Sequence, residues 1–383
     1  MNKNELRILH IIPSLIKGGA QRLAIDICNE LHIRENIKIK LLTFSELNDF
    51  KYLMKDINWV VCPAKVRLSV LRRNYVDINN LFDEINSFNP NIIHSHLFEA
   101  EVVSREAAVP GVKYVTHLHS EIEQMKRFSP GVFVNKKKFT NFYERRYIVR
   151  KYLECSNNFI AISEFIDNYY KKNLPVSLHN NIKILYNAID FKRFQNKNPE
   201  RNIGDKLRLI NVARMIPRKN QRLLIDVISE LRERGIKSHL KLIGYGEDKQ
   251  ILINMVREKG LEKEISIISD QSNIDEYLAD SYIYLHSARD GLWGLSTLEA
   301  MATGLPIVGL QGNIDGNINR LRNYVNGFII EKEDPKEFID KIEILINNVE
   351  LYKSISLNNV IYAQDHDIKS YTDNLINFYK KIV

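Results

Sequence analysis

The stretch QNKNPERNIGDKLRLINV, residues 195–212, changes character part-way along. Gln195 to Lys206 carries Pro199, Gly204 and a run of Asn and charged side chains, a composition that suits a linker. Leu207 to Val212 is an apolar-rich run of strand length. A strand that starts afresh after a linker predicts a second domain, and the pattern on both sides agrees. Upstream, short Ile/Leu/Val-rich runs mark strands near 7–12, 37–43, 58–62, 92–95, 114–118, 159–162 and 182–185, and downstream they recur near 240–243, 265–268, 282–285, 306–308 and 327–330. Segments of helical spacing separate them; in the first, Ala20, Leu23, Ala24, Ile27 and Leu31 recur at three and four. Strand and helix alternating throughout predicts the α/β class: two doubly wound, Rossmann-like domains facing a cleft formed by the carboxyl ends of their sheets. The expected division is 1–195 and 196–364, with a C-terminal helix over about 365–383 packing back on the first domain.

Composition narrows the class further. The chain has 383 residues, 44% hydrophobic and 27% charged, enough for sizeable cores and too regular for a disordered or collagen-like polymer. No apolar run approaches the roughly 18–20 residues of a membrane-spanning helix, so neither a span nor a signal peptide is expected. Cys28, Cys62 and Cys155 are scattered, which argues against a disulfide framework or zinc site and for a reducing, cytoplasmic setting. The net charge of +8 is uneven: residues 1–195 hold 29 Lys+Arg against 20 Asp+Glu, or +9, leaving 26 against 27, or −1, for the rest. Nine cations against the single acid Glu144 between Lys126 and Leu153 suit phosphates, including those of an anionic membrane surface; a solvated helix face explains them equally.

Several places could carry chemistry. Lys17, Gly18 and Gly19 follow the first strand and precede a helix, which offers an anion bare amides and a positive helix end; any tight strand-to-helix turn uses glycine too. Arg214 and Lys219 flank a loop stiffened by Pro217, as two cations converging on a pyrophosphate or as two solvated side chains. Ser287 to Gly309, SARDGLWGLSTLEAMATGLPIVG, is the densest signal. There Glu299 stands either as a ligand group or, with Ser296, as an S-x-x-E capping box, and Trp293 as a platform or a core residue. Gly244 and Gly246 form a G-x-G whose third glycine is missing, since position 249 is lysine. His94, His96, His117 and His119 make two H-x-H pairs at strand ends; alternate residues share a face, so a metal site is geometrically fair, although no Asp or Cys accompanies them.

The ordered set IIPSLIKGGAQRLAIDICNEL (11–31), NIIHSHL (91–97), VTHLHSE (115–121), FIAISEFI (159–166), ILYNAIDFKRF (184–194), NVARMIPRKNQ (211–221), LIGYGED (242–248) and LEAMATGLPIV (298–308) resembles the family 4 glycosyltransferases of GT-B fold. The resemblance covers nearly the whole chain. It implies a retaining transferase that uses a nucleotide-sugar as substrate, with no metal or other cofactor, the acceptor on the N-terminal domain and the donor mainly on the C-terminal one. Arg214 and Lys219 fall where the family neutralises the donor diphosphate, Glu299 where it holds the ribose, Gly18 and Gly19 in its phosphate-and-sugar loop, and Gly244 in a loop near the nucleotide. His119, with His117 as second choice, matches a histidine near the reacting sugar. One departure stands out. The family leaves seven residues between its two glutamates, a spacing that lands here on Gly291; the nearest carboxylate, Asp290, has eight residues between it and Glu299. Either a one-residue insertion lets Asp290 serve the donor sugar, or that contact is absent.

No carboxylate nucleophile stands out, so front-face attack by the acceptor hydroxyl is the expected mechanism, with cations and helix dipoles stabilising the departing diphosphate. Expected partners are a nucleotide-sugar, UDP by family frequency, a glycan or lipid-linked acceptor in cell-surface polysaccharide synthesis, and an anionic membrane face; nucleic acid is not expected. Two other readings remain at this level: a noncatalytic GT-B subunit, and a two-domain nucleotide-dependent dehydrogenase or epimerase, which would need a full G-x-G-x-x-G after the first strand.

Overall fold

The computed structural model describes residues 5–69, 73–127, 135–195, 201, 204–269, 271–289, 294–311 and 321–383. The chain divides into two compact units: Met1–Asn187 together with Ile368–Val383, and Ala188–Asp367. It enters and leaves the second unit side by side, the Ile189 amide donating to the His366 carbonyl at 3.1 Å. The boundary therefore lies upstream of the polar stretch 195–206. The reason is apolar: Phe191 and Phe194 of the short helix Phe191–Phe194 are buried in the core of the second unit, with Ile210, Tyr284 and Leu298.

Unit 1 is built on β1 (Leu6–Ile12), β2 (Ile37–Thr43), β3 (Trp59–Val61), a small antiparallel pair β4 (Val66–Arg67) and β5 (Tyr75–Val76), then β6 (Ile92–His96), β7 (Lys113–Leu118), β8 (Asn158–Ala161) and β9 (Ile182–Ile184). The main sheet is parallel in the order β3-β2-β1-β6-β7-β8-β9. Strand order reverses between β1 and β6, the point at which an open parallel sheet leaves a crevice at its carboxyl ends. Both faces are covered. Leu9, Ile11 and Ile93 pack against the helices Asn79–Phe88 and Phe98–Glu106. On the other side the first helix, Gly19–His32, lies beside the C-terminal helix, Ile368–Ile382.

Unit 2 repeats the plan with β10 (Leu207–Val212), β11 (Ser238–Ile243), β12 (Ile265–Ile268), β13 (Ile283–His286), β14 (Ile307–Leu310) and β15 (Gly327–Ile330), parallel in the order β12-β11-β10-β13-β14-β15. Its reversal falls between β10 and β13. Leu209, Leu240, Leu242, Ile283 and Leu285 are fully buried, as expected of strands covered on both faces. Among the described residues no helix is long and apolar enough to cross a membrane.

Candidate active site

In unit 2 the sequence-derived candidates gather at the carboxyl ends of the strands flanking the reversal. β10 runs into the loop with exposed Arg214 and half-buried Lys219, and β13 runs into Ser287. The Ser287 hydroxyl donates to the Lys219 carbonyl at 2.8 Å, and the Arg289 amide to the Arg218 carbonyl at 2.9 Å, so the two loops are stitched together. Arg289 also forms a two-pronged bond to Glu333 at 2.7 and 2.8 Å, and Asn220 Nδ2 donates to the same carboxylate at 3.2 Å.

The loop after β11 joins the same group. The Met215 amide donates to the Tyr245 carbonyl at 2.6 Å, and the Asp248 amide to the Met215 carbonyl at 2.9 Å. This approach explains the glycines. Gly244 has φ +153°, and a Cβ there would stand 2.0 Å from the Ala213 carbonyl oxygen; at Gly246, φ +149°, it would stand 2.2 Å from that of Met215. The G-x-G thus holds the cation loop close.

Glu299 is buried in the helix Leu295–Ala302. That helix is capped by Gly294 without a side-chain hydrogen bond, and the Ser296 hydroxyl lies 3.1 Å from the Tyr284 hydroxyl. Ser296 stands inside the helix, so the capping box with Glu299 does not form at its N-terminus. Asp290, Gly291 and Trp293 lie outside the described residues.

In unit 1, Gly18 caps the helix Gly19–His32 at the carboxyl end of β1 with extended backbone, φ 178°. The Lys17 amide donates to Asp49 Oδ2 at 2.9 Å, and Leu15 pairs with Asn48, which fixes this loop against the segment following β2. Nearby strand ends and the β4–β5 pair border a cavity of about 470 Å³ lined by Phe44, Lys65, Arg67, Tyr75 and Glu99, among others.

His119 follows β7 directly, and the register shows what surrounds it. His10 of β1 pairs with His94 of β6, and His96 of β6 with His117 of β7. Residues paired across parallel strands, and those two apart along one, share a face, so all five histidines project to one side. Their rings stack: His117 on His119 at 4.2 Å and 7°, His94 on His96 at 4.6 Å and 14°. His96 Nδ1 lies 2.9 Å from His119 Nε2, and His10 Nδ1 lies 3.0 Å from His96 Nε2. Burial pulls His10 down to about 3; burial, then repulsion from neighbouring histidines, holds His94, His96 and His117 well below the usual range, and burial lowers half-buried His119 as well. The sequence pattern offers four of these histidines and leaves out His10.

Two triads, His10/His94/His96 and His96/His117/His119, have ring nitrogens within 4.8 Å of one another, close enough to consider a metal. The contacts at 2.9 and 3.0 Å are of N–H···N hydrogen-bond length, and a metal taking these nitrogens would compete with those bonds. On the opposite face of the sheet the fully buried Arg105 bonds the side chains of Ser95, Thr116 and Asn157, another feature the sequence did not announce.

Comparison with known proteins agrees with this geometry. Residues 17–193 match the model for Glycosyltransferase Family 4 and residues 192–359 that for Glycosyl transferases group 1, so the two together span both units. The chain is a GT-B glycosyltransferase of the family 4 type. An uncharacterized glycosyltransferase of Haemophilus influenzae is 30% identical over 163 residues, 42% of this enzyme and 45% of that protein. The UDP-Gal:alpha-D-GlcNAc-diphosphoundecaprenol alpha-1,3-galactosyltransferase of Escherichia coli is 24% identical across 98% of each chain. HepE of Anabaena, solved with UDP and glucose, superposes with a TM-score of 0.76 at 20% identity, covering 97% of this chain and 99% of its own. The dehydrogenase reading is set aside by these family matches. Gly18 and Gly19 lie beyond the carboxyl end of β1 in unit 1, and Arg214, Lys219 and Gly244 lie beyond the carboxyl ends of β10 and β11 in unit 2.

Proposed function

We propose that this glycosyltransferase moves a sugar from a UDP-sugar to a glycan or lipid-linked acceptor with retention of configuration, in the synthesis of a cell-surface polysaccharide. The observation that carries the donor reading is the stitched loop in unit 2, which presents Arg214 and Lys219 at the strand-order reversal. Breaking the sugar–phosphate bond builds negative charge on the departing diphosphate, and preorganised cations stabilise it. Glu299 holds the ribose, Gly18 and Gly19 offer amides to the phosphate and sugar, and His119 contacts the transferred sugar. Asp290 takes the place of the family's first glutamate. The acceptor hydroxyl attacks from the face the diphosphate leaves, and its proton passes to the departing phosphate oxygen. UDP is supported by what the E. coli relative is named for and by the ligands of the Anabaena structure.

The acceptor lies on unit 1, whose helix Lys136–Glu154 carries the basic run. Ile148, Val149 and Tyr152 are buried and Tyr147 bonds Glu106, so part of its apolar content belongs to the core. Lys136, Lys137, Lys138, Arg146 and Arg150 stay exposed and suit the anionic inner face of a membrane, each contributing about 1 kcal/mol near such a surface. Screening UDP-, GDP- and ADP-sugars for thermal stabilisation, then following the anomeric configuration of the product by NMR, tests the donor and the stereochemistry. Stabilisation by GDP or ADP alone, or an inverted product, overturns the corresponding part. Equal, negligible sedimentation with anionic and neutral vesicles overturns the membrane part.

A further inference from the structure

Five side chains of unit 1 form one unbranched hydrogen-bonded chain. From the carboxyl edge of the sheet inward, His119 Nε2 meets His96 Nδ1 at 2.9 Å, and His96 Nε2 meets His10 Nδ1 at 3.0 Å. His10 Nε2 then meets the Tyr379 hydroxyl at 3.3 Å, and that hydroxyl meets His94 Nδ1 at 2.5 Å. Tyr379 comes from the C-terminal helix, Ile368–Ile382, and is fully buried. At the inner end His94 Nε2 is buried with no partner among the described residues; at the outer end His119 is half-buried. His117 lies beside the chain, its ring stacked on His119 and both its nitrogens buried with no hydrogen bond among the described residues.

A neutral imidazole has one N–H and one lone pair, and a hydroxyl has one proton to give. With one proton in each link, and the hydroxyl donating one bond and accepting the other, the direction of any link dictates all the others. Only two arrangements are coherent. In one, every histidine is protonated at Nε2 and donation runs from His119 through His96, His10 and Tyr379 to His94. In the other, every histidine is protonated at Nδ1 and donation runs outward. Two observations select the first. The 2.5 Å contact is too short for an N–H donor and falls in the range of an O–H donor, which makes Tyr379 donate to His94 and leaves it to accept from His10. The Nε2–H form is also the one an isolated histidine side chain favours in water. The cost falls on His94, whose Nε2–H ends in the stack without a partner.

We infer that Tyr379, His10 and His96 are positioning residues that hold His119 in its Nε2–H form, so that its Nδ1 presents only a lone pair and accepts a hydrogen bond from a hydroxyl of the bound sugar. This rests on the placement of His119 beside the transferred sugar proposed above. It makes His119 an orienting acceptor, with no proton of its own to give the leaving group. The returning C-terminal helix thereby acts on the site, since its Tyr379 hydroxyl sets the state of a histidine three links away.

The relay is readable without activity. In the ¹⁵N-labelled full chain, NMR should show His119 protonated at Nε2, with coupling across the N–H···N bond to His96. Tyr379→Phe takes the acceptor from His10 Nε2–H; the chain should reverse, and His119 should appear as the Nδ1–H form. The turnover of that variant should fall about five- to tenfold, the worth of one neutral hydrogen bond, with KM for the donor unchanged. His96→Gln, which interrupts the chain next to His119, should leave a mixture of the two forms. A wild-type His119 protonated at Nδ1, an unchanged tautomer in both folded variants, or zinc retained on these ring nitrogens after dialysis overturns the relay. If the tautomers behave as stated while His119→Ala transfers sugar at the parental rate, the relay stands and the placement of His119 beside the sugar falls.

Discussion

The Ser287 hydroxyl donates to the main-chain carbonyl of Lys219 at 2.8 Å, tying the exit of β13 to the end of the cation loop after β10. The bond holds Lys219, the cation proposed to meet the diphosphate, through its backbone from the neighbouring strand. Arg214→Ala or Lys219→Ala is expected to lower turnover by at least about tenfold with the fold intact, since each removes a charge-assisted contact to the leaving group. Ser287→Ala keeps both cations and loosens only the stitch, so it should slow transfer less and cost about 1 kcal/mol of stability. Steady-state kinetics with thermal denaturation separate the two effects. Parental rates in both cation variants would take Arg214 and Lys219 out of the donor site.

Glu299 offers a second test, because the competing role in a capping box with Ser296 is not realised: Gly294 caps the helix and Ser296 lies against Tyr284. Glu299→Gln preserves shape and replaces the carboxylate proposed to accept from a ribose hydroxyl. Nucleotide affinity by calorimetry should weaken by about tenfold, the range of a hydrogen bond to a charged group, and more than the melting temperature changes. An affinity equal to the parent's would end the ribose assignment.

How far the sequence reached follows from the range of each interaction. β1 and β10 were legible because strands buried on both faces are near-continuous apolar runs, and the loops at their carboxyl ends could be found by counting outward. His94 with His96, and His117 with His119, were legible because i and i+2 share a strand face. His10 was not, since only the parallel register brings it opposite His94, and Tyr379 reaches His94 from 285 positions away. Nothing in the sequence marks Arg105, whose partners Ser95, Thr116 and Asn157 come together only in the fold. The glycines of the G-x-G read as a weak nucleotide fingerprint, whereas their φ values and the carbonyls of Ala213 and Met215 tie them to loop packing.

Asp290 lies outside the described residues, so its role is a matter for substitution. If the longer loop carries it to the donor sugar, Asp290→Ala should reduce transfer while UDP alone binds as before, because the lost contact is made to the sugar and not to the nucleotide. Equal transfer by variant and parent would mean that no carboxylate serves the sugar from this loop.

The histidine stack makes stability depend on pH with a definite sign. His10 titrates near 3 in the folded chain against 6.5 for a free side chain, because burial penalises its charged form. Between those values the unfolded chain binds a proton that the folded one refuses. Its contribution is therefore fully present above about pH 6.5 and is lost as pH falls, by up to about 1.4 kcal/mol per pH unit. His94, His96 and His117, lowered by burial and by one another, act in the same direction. Buried Glu101 opposes them, since burial raises its pKa and favours its neutral form in the folded state. The melting temperature should be level from pH 8 to 7 and fall steeply below 6. The slope should be shallower in His117→Gln, which removes an imidazole that stacks on His119 but makes no hydrogen bond in the Tyr379–His10–His96–His119 chain. A melting temperature that stays level to pH 5, or a His117→Gln variant with the parental slope, would mean that these imidazoles accept protons in the folded state as readily as in the unfolded one.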